Sequence, residues 1–234
     1  IESGTAISLA QFTDDTNAKQ PITSAPELVQ AGDKRIVLVG TGRLLGMSDF
    51  GSTKQQSFYA IKDTGTKITN PRSALVPRTL TAVVNGKRDL TGAAVNWETD
   101  SGWYFNLPSG EQQNTKPTVV YGAIVFTTNV AKANDCTSAS YLYAVDIRTG
   151  LKVKAADHVS EKVADDINSG AVITKTDGND VDDDGDGGSS EDACRKAGGL
   201  IANIGLGDGS IVQMPPPVCP GVTSRKNAWR QVQR

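Results

Sequence analysis

The residues best suited to cation chemistry lie in one acidic stretch, from Asp177 to Asp192. This stretch holds eight of the 26 acidic residues of the chain and no Lys or Arg. The other 18 acidic residues face 24 basic ones, so the rest of the chain is positive while the whole carries a net charge of −2. Such a run must be solvated or neutralised, and its charge is local. The stretch therefore predicts a locally bound cation.

One register of the stretch has the spacing of a calcium loop. Asp180, Asp182 and Asp184 take positions 1, 3 and 5, Gly185 takes position 6 and Glu191 position 12. Ca²⁺ prefers six to eight oxygen ligands at about 2.3–2.6 Å, and alternate carboxylates on a tightly turned loop converge on one point. The backbone carbonyl at position 7 would add a further ligand. We predict a Ca²⁺ site formed by Asp180, Asp182, Asp184, Asp186 and Glu191.

The segments on either side of this loop do not have the pattern of amphipathic helices. GAVITK before it alternates as a strand does, and ACRKAGG after it is short and ends in glycine. We therefore expect an EF-hand-like loop without EF-hand helices. The alternative is a solvated acidic hairpin tip that binds no ion, because blocks of like charge are commonly mobile.

The other residues with reactive side chains are few and scattered. Cys136, Cys194 and Cys219 show no C-x-x-C spacing and only His158 could join them, which argues against a zinc site. In an exported protein, one disulfide, for which Cys194 and Cys219 are the natural pair, would leave one thiol over; three free thiols in a cytosolic protein are the alternative. His158 follows Asp157, but no nucleophile motif accompanies them, so we expect a surface histidine.

Short β-runs account for most of the chain. PITSAPELV, RIVLVGTGR and QSFYAIKD are followed later by KPTVVY, AIVFTTNV and SYLYAVDIRTG in the same order. Tyr59 and Tyr143 are 84 residues apart in this repeat, and TLTAVV, LTGAAVNW and GWYFNL lie between them. Two units of about 42 residues would match the period of a propeller blade. The sequence predicts an all-β fold of propeller blades, at most about four, which form part of a larger ring.

A last unit contains the acidic stretch as an insertion. SGAVITK precedes it, and GLIANIGL, an Asp208-Gly209 turn and SIVQM follow it, before MPPPVCPG ends the sheet. Trp97, Trp103 and Trp229 are predicted to be packing anchors of the blades. We expect a linker or edge strand over residues 1–20 and propeller over residues 21–234, with the calcium insertion at 177–192.

Three further features of the sequence concern membrane spans, nucleic-acid binding and the parent protein. No run is long and apolar enough to span a membrane. The tail TSRKNAWRQVQR has four cations around one Trp, too few to argue for nucleic-acid binding. The chain begins with Ile1 and has no signal peptide, so we expect a piece of a larger protein.

Several motifs together resemble a known family. VGTGRLLGMSD leading to QSFYAIKD, then GWYFNLPSGE, IVFTTNV, SYLYAVDIRTG and the closing SRKNAWRQVQR follow the order of the C-terminal propeller of PilY/PilC-type type IV pilus tip proteins. The resemblance implies a modified quinoprotein-like propeller that is exported through the periplasm to the pilus tip or outer cell surface. It also implies a role in pilus assembly, twitching motility and adhesion, without enzymatic activity.

The resemblance also implies partners: minor pilins at the tip, the remaining blades or N-terminal region of a parent protein, and a host or abiotic surface. In the family the calcium loop generally precedes the QPITSAPE-type strand, whereas Asp180–Glu191 follows it, so the two loops are not equated. Two alternatives stay open. YAVDIRTG is also similar to the blade-ending motif of quinone-dependent dehydrogenases, and the chain could be a structural propeller with an inert acidic loop.

Overall fold

The fold is described by a computed structural model that covers residues 8–81, 85–133, 138–154, 156–175 and 199–218. These residues contain one helical turn, α1 (Pro71–Ala74), and a 3-10 turn at Met47–Asp49. The remaining regular structure is β. The strands are β1 (Glu27–Ala31), β2 (Lys34–Gly40), β3 (Ser57–Lys62), β4 (Val76–Leu80), β5 (Lys87–Arg88), β6 (Leu90–Thr91), β7 (Gly102–Asn106), β8 (Glu111–Gln112), β9 (Thr118–Val120), β10 (Ala123–Ala131), β11 (Ser138–Asp146), β12 (Ser160–Ala164), β13 (Asn168–Lys175), β14 (Leu200–Leu206) and β15 (Ile211–Met214).

The strands form three sheets. The first has the order β1-β2-β3-β7-β4-β6, in which β4 runs parallel to β7 and every other pair is antiparallel. The second has the order β5-β12-β11-β10-β8, with β9 also paired to β10, and the third is β13-β14-β15. The predicted all-β fold class is therefore confirmed.

Tight turns connect several neighbouring strands as their residues predict. Tyr121 and Gly122 both have positive φ, 47° and 80°, which matches the two-residue hairpin turn between β9 and β10. The predicted Asp208-Gly209 turn joins β14 to β15: Gly209 has φ of 87°, and the Leu206 amide donates to the Ser210 carbonyl at 2.8 Å. β15 ends at Met214, before the proline run, because proline cannot donate to a ladder.

The sheets pack face to face in chain order. Ile36, Leu38 and Phe58 of the first sheet share a buried cluster with Phe126 and Tyr143 of the second. The Phe58 and Phe126 rings are stacked with centroids 4.2 Å apart. The opposite face of the second sheet packs on the third through a second cluster, which includes Val125, Leu142, Ala202 and Ile204. Each interface thus buries the apolar side of the strand alternation that the sequence shows.

One part of the predicted repeat is wrong. We expected a separate blade between Tyr59 and Tyr143, but β7 pairs with β3 in the first sheet and β5 pairs with β12 in the second. The 84 residues between the two tyrosines therefore span one step from sheet to sheet instead of two. The run GWYFNL was correctly predicted to be a strand. The residue pattern along a strand, however, does not show which sheet the strand joins.

Two of the three predicted tryptophan anchors lie in the described part of the chain, and both bind the turn after β11. The Trp103 indole N–H donates to the Ile147 carbonyl at 2.8 Å, and that of Trp97 to the Arg148 carbonyl at 2.7 Å. Asp146 organises the turn from within, because its Oδ1 accepts the Thr149 amide at 2.8 Å. The DIRTG motif therefore forms a turn whose backbone carbonyls bind the two indoles. Trp229 lies outside the described residues.

Residues 8–20 cover the outer face of the first sheet. Phe12 is buried and stacks on Tyr59 with centroids 4.1 Å apart. This segment makes isolated bridges, Ala10 with Ile68 and Thr13 with Lys19, and none of its described residues belongs to a named strand. None of the helices in the described ranges is long and apolar enough to cross a membrane.

Candidate functional site

The predicted calcium ligands Asp180, Asp182, Asp184, Asp186 and Glu191 all lie outside the described residues. The strands that hold the two ends of their segment are described. β13 and β14 are antiparallel neighbours, and Lys175 at the end of β13 lies directly opposite Leu200 at the start of β14. The acidic stretch therefore belongs to the connection between two antiparallel neighbours, and the ladder from Ala171–Ile204 to Lys175–Leu200 holds the strand ends on either side of that connection next to each other.

Asn168 anchors the other end of β13 to the second sheet. Its side-chain Nδ2 donates to the Thr128 carbonyl at 3.0 Å and to Asn129 Oδ1 at 2.8 Å. Its Oδ1 accepts from Thr127 Oγ1 at 2.5 Å and from the Gly170 amide at 2.8 Å. Asn168, Asn129 and both threonines are buried, so the bonds among these four residues are shielded from water.

The backbone of Asn168 completes this junction, which we call the Asn168 knot (Thr127, Thr128, Asn129 and Asn168). The Asn168 amide donates to Asn129 Oδ1 at 2.7 Å, and Asn129 Nδ2 donates to the Asn168 carbonyl at 3.0 Å. The hairpin that contains the acidic insertion is therefore fixed to β10 by polar contacts as well as by the apolar cluster between the sheets. The sequence gives one weak signal for the knot: the polar run TTN interrupts an otherwise apolar strand.

A buried ion pair lies between the first and second sheets. Arg88 Nη1 is 2.6 Å from Glu111 Oε2, and their side chains are 3% and 0% exposed. Tyr143 donates from its hydroxyl to Glu111 Oε1 at 2.7 Å, and Thr128 Oγ1 donates to the same oxygen at 2.6 Å. The Arg88 guanidinium also lies over the Tyr141 ring, 3.6 Å from its centroid. A buried charge pair needs such partners because desolvation of each ion is costly.

The electrostatics of this cluster follow from its burial. Burial raises the pKa of Tyr143 well above its usual value, and the negative charge of Glu111 acts in the same direction. Burial opposes the charge on Arg88, but Tyr143 and Glu111 outweigh that effect and raise its pKa. Tyr143 is therefore a neutral hydroxyl donor and Arg88 a permanent cation. This cluster could not be predicted from the sequence, since Glu111 stands in the polar run GEQQN, which is typical of an exposed loop.

His158 was predicted to lie at the surface, and this is wrong. Its side chain is only 7% exposed, with Nδ1 2.5 Å from Asp157 Oδ1 and Nε2 3.5 Å from Glu161 Oε2. It precedes the buried Val159, whose amide donates to the Arg88 carbonyl at 3.0 Å, so the pairing of this segment with β5 draws the ring inward. No serine motif accompanied this pair in the sequence, and the short contact to Asp157 fixes the ring.

No group of three or more His, Cys, Asp or Glu side chains within the described residues is arranged to hold a metal ion. The predicted cysteine pair, Cys194 and Cys219, and the third cysteine, Cys136, lie outside those residues. The described part of the chain thus supplies the framework around the predicted cation loop. Of its own polar clusters, the Asn168 knot joins the second and third sheets, and the Arg88–Glu111 pair joins β5 and β8 within the second sheet.

The chain is similar to known proteins in both sequence and fold. No family model matches the chain. Over 227 residues it is 26% identical to a type IV pilus biogenesis factor PilY1 homolog of Xylella fastidiosa (strain Temecula1), which covers 92% of this chain and 18% of the relative. Its fold is similar to the crystal structure of the Pseudomonas aeruginosa PilY1 C-terminal domain, with a TM-score of 0.64 and 18% sequence identity.

The structural similarity covers 90% of this chain and 48% of the solved domain. The chain therefore spans less than a fifth of the curated relative and about half of the solved domain. The resemblance to PilY-type C-terminal propellers, inferred from the order of the motifs, is confirmed by a sequence relative and by the fold.

Proposed function

We propose that this chain forms part of the C-terminal propeller of a type IV pilus biogenesis factor and has a structural role without catalysis. The observation that supports this most directly is the similarity to a PilY1 homolog over 92% of the chain. The fold similarity to a PilY1 C-terminal domain, over 90% of the chain, agrees with it. The Asn168 knot joins the second and third sheets, and the Arg88–Glu111 pair ties two strands of the second sheet together, as a structural role requires.

The proposal includes a place in the cell and a set of partners. The chain acts at the pilus tip or outer cell surface, which it reaches through the periplasm, and contacts minor pilins there. Within its parent protein it packs on the remaining blades or the N-terminal region. Through these contacts it promotes pilus assembly, twitching motility and adhesion to a host or abiotic surface.

We further propose that the β13–β14 connection binds Ca²⁺ through Asp180, Asp182, Asp184, Asp186 and Glu191. The ion cancels the repulsion among the carboxylates and orders the connection. The ladder that ends at the Lys175–Leu200 pair supports this, because it brings the two ends of the segment together and removes part of the entropic cost of closing the loop. At a hundredfold excess over its dissociation constant, calcium would stabilise the folded state by about 2.7 kcal/mol.

Calorimetric titration of the 234-residue chain with CaCl2 tests the ion site directly. We expect saturable binding of about one equivalent, lost in Glu191→Gln because position 12 supplies both carboxylate oxygens. Asp165→Asn is the matched control, since Asp165 is an exposed carboxylate that pairs with Lys162 on β12. Melting curves with calcium and with chelator should differ for the parent and the control alone. An absence of heat and of a melting shift would leave the stretch as a solvated insertion.

A second experiment tests the cellular role separately. The parent gene would carry Asp182→Ala with Asp184→Ala, or a deletion of this propeller portion, and surface pili and twitching would be measured. Loss of pili in the deletion strain with normal pili in the double variant would support the biogenesis role and show that it does not require the predicted Ca²⁺ ligands. Normal pili in both strains would reject the biogenesis role itself.

A further inference from the structure

A cleft with a volume of about 340 Å³ opens where three turns of the first and second sheets meet. Its floor is Ile36, which is 1% exposed, and one wall is the Trp97 indole. The turn between β1 and β2 and the turn after β11 form the rest. The polar side chains at its rim are Asp33, Lys34, Glu98 and Arg148.

The four charged side chains at the rim have no net charge, but they differ in their ion-pair partners. Lys34 Nζ is 3.0 Å from Asp33 Oδ2 and 3.1 Å from Glu98 Oε2, so one ammonium holds two carboxylates. These hydrogen bonds, chiefly the one to Asp33, raise the pKa of Lys34. Arg148 is exposed, and its guanidinium has no ion-pair or hydrogen-bond partner among the described residues. The rim thus offers free donors on one side and free acceptor sites on the two carboxylates.

Trp97, one of the residues that line the cleft, is held in place by two hydrogen bonds. Trp97 Nε1 donates to the backbone carbonyl of Arg148 at 2.7 Å, and Lys62 Nζ donates to the Trp97 carbonyl at 2.7 Å. The ring also packs against the cluster between the first two sheets. A fixed aromatic surface costs little conformational entropy when a ligand covers it.

We propose that this cleft is a saccharide-binding site. A sugar ring has an apolar C–H face that can cover an indole and hydroxyls that both donate and accept, which matches a cleft lined by Trp97, two carboxylates and a guanidinium. The formal charges of the four rim residues sum to zero, which favours a neutral ligand over an ion. The volume lies at the lower end of the range for small-ligand sites, about 300–1,000 Å³, which suits one or two sugar rings.

NMR titration of the full 234-residue chain tests this site. The indole N–H resonance of Trp97, assigned by comparison with Trp97→Phe, reports on the cleft. The probes are glucose, galactose, N-acetylglucosamine, lactose and glucuronate, with glycerol and acetate as non-saccharide controls. We expect a saturable shift with at least one saccharide and none with glycerol or acetate. A shift with acetate equal to that with glucuronate would identify a carboxylate site and overturn the proposal.

Variants of the rim complete the test. Arg148→Gln removes the free guanidinium but keeps the backbone carbonyl that binds Trp97, so the fold should persist while affinity falls at least tenfold. Glu98→Gln should weaken binding severalfold, since Lys34 keeps Asp33 as a partner. Arg35→Gln is the matched control, because Arg35 is exposed and pairs with Asp63 outside the cleft. No saturable shift with any saccharide, or equal effects of Arg148→Gln and Arg35→Gln, would overturn the proposal.

Discussion

Tyr59 and Tyr143 occupy matching places in two successive sheets. Each lies on the third strand in the order of its sheet. Tyr59 is paired with Val39 in the first sheet, and Tyr143 is paired with Phe126 in the second. Both rings are fully buried, and both hydroxyls donate to a buried acceptor. For Tyr59 the acceptor is the neutral amide oxygen of Gln20, at 2.6 Å. For Tyr143 it is the Glu111 carboxylate.

The arginines near the two tyrosines also form ion pairs that differ in exposure to water. Arg72 pairs with Asp15 at 2.7 Å, and the Asp15 side chain is 62% exposed. Arg88 pairs with Glu111 at 2.6 Å, and neither side chain is more than 3% exposed. The first cluster lies under residues 8–20, whereas the second lies between two sheets. One structural position therefore holds a partly hydrated network in one sheet and a dry ion pair in the next.

The comparison shows that the element packed on a sheet determines how much the polar residues of that sheet contribute to stability. Where a segment of chain covers the cluster, water remains available to replace a lost partner. Where a sheet covers it, a lost partner leaves a charge without compensation, and the cost is the desolvation of that charge. We expect substitutions in these clusters and in the Asn168 knot to differ in stability effect according to this rule.

Glu111→Gln should have the largest effect. It removes the charge that neutralises Arg88, and breaking a buried pair from one side costs roughly 3–5 kcal/mol. Urea unfolding of the parent and the variant measures the difference. Arg88→Gln combined with Glu111→Gln should recover part of the loss, because no uncompensated charge then remains. A loss of under about 1 kcal/mol in Glu111→Gln would show that water reaches this pair and would end the distinction between the two clusters.

Asn168→Ala should be the next in size and tests a buried cluster that has no charge. It removes the side-chain bonds of Asn168 to Thr127 Oγ1, the Thr128 carbonyl and Asn129 Oδ1, and each such hydrogen bond contributes about 0.5–1.5 kcal/mol. We expect a loss of roughly 2–3 kcal/mol by urea unfolding, together with faster amide exchange in β13.

Asn203→Ala is the control for this substitution. Asn203 lies in the same sheet and bonds to Thr174 at 3.0 Å and to Gln213, but on an exposed face. We expect it to lose no more than about 0.5 kcal/mol. Equal losses for Asn168→Ala and Asn203→Ala would contradict the role of the knot as a buried junction.

Alkaline pH should separate the two tyrosines. Burial raises the pKa of both, and the Glu111 charge adds to the effect at Tyr143. A raised folded-state pKa gives stability that is fully present below the unfolded value of about 10 and is lost as pH rises through the folded value. Above about pH 10, each tyrosine that keeps its proton lowers the free energy of unfolding by about 1.4 kcal/mol per pH unit.

Unfolding curves from pH 9 to pH 11.5 measure this dependence. Tyr143→Phe should reduce the slope above pH 10 by nearly one proton, while Tyr59→Phe should reduce it less at the upper end, because its hydroxyl has no carboxylate partner. The slope is the informative readout, since both variants also lose a hydrogen bond at every pH. Identical slopes in the parent and in Tyr143→Phe would contradict the assignment of Tyr143 as a neutral donor.

Much of this framework could be predicted from the sequence, because it depends on local pattern. The runs that form β2, β3, β10 and β11 alternate or are continuously apolar, and the Asp208-Gly209 turn has the residues its backbone needs. The sheet that each strand joins could not be predicted, as β7 shows. Nor could the burial of Glu111, whose partner Arg88 is 23 residues away and whose neighbours are polar. Burial of such a residue is decided by a contact between distant strands, which no local pattern contains.

The cation loop was the reverse case. Its ligand spacing is a strong local signal, and its position in a hairpin connection followed from the strands on either side. The Lys175–Leu200 pair shows that the strands on either side, β13 and β14, are antiparallel neighbours. Ion binding itself stays a prediction, because the carboxylates belong to residues outside the described ranges.

Asp15→Asn should have a small effect, in contrast to Glu111→Gln. The pair with Arg72 is exposed on the Asp15 side, and exposed pairs contribute about 0–1 kcal/mol. Arg72 also keeps its bonds to Ser57 Oγ at 3.2 Å and to Asn106 Oδ1 at 3.1 Å, so its charge stays solvated or bonded. We expect a loss within about 0.5 kcal/mol by urea unfolding at low salt, and no difference from the parent in 1 M NaCl, where the Debye length falls to about 3 Å. A salt-independent loss above about 2 kcal/mol would mean that residues 8–20 exclude water as completely as a sheet does, and burial alone would then not explain why the two clusters differ.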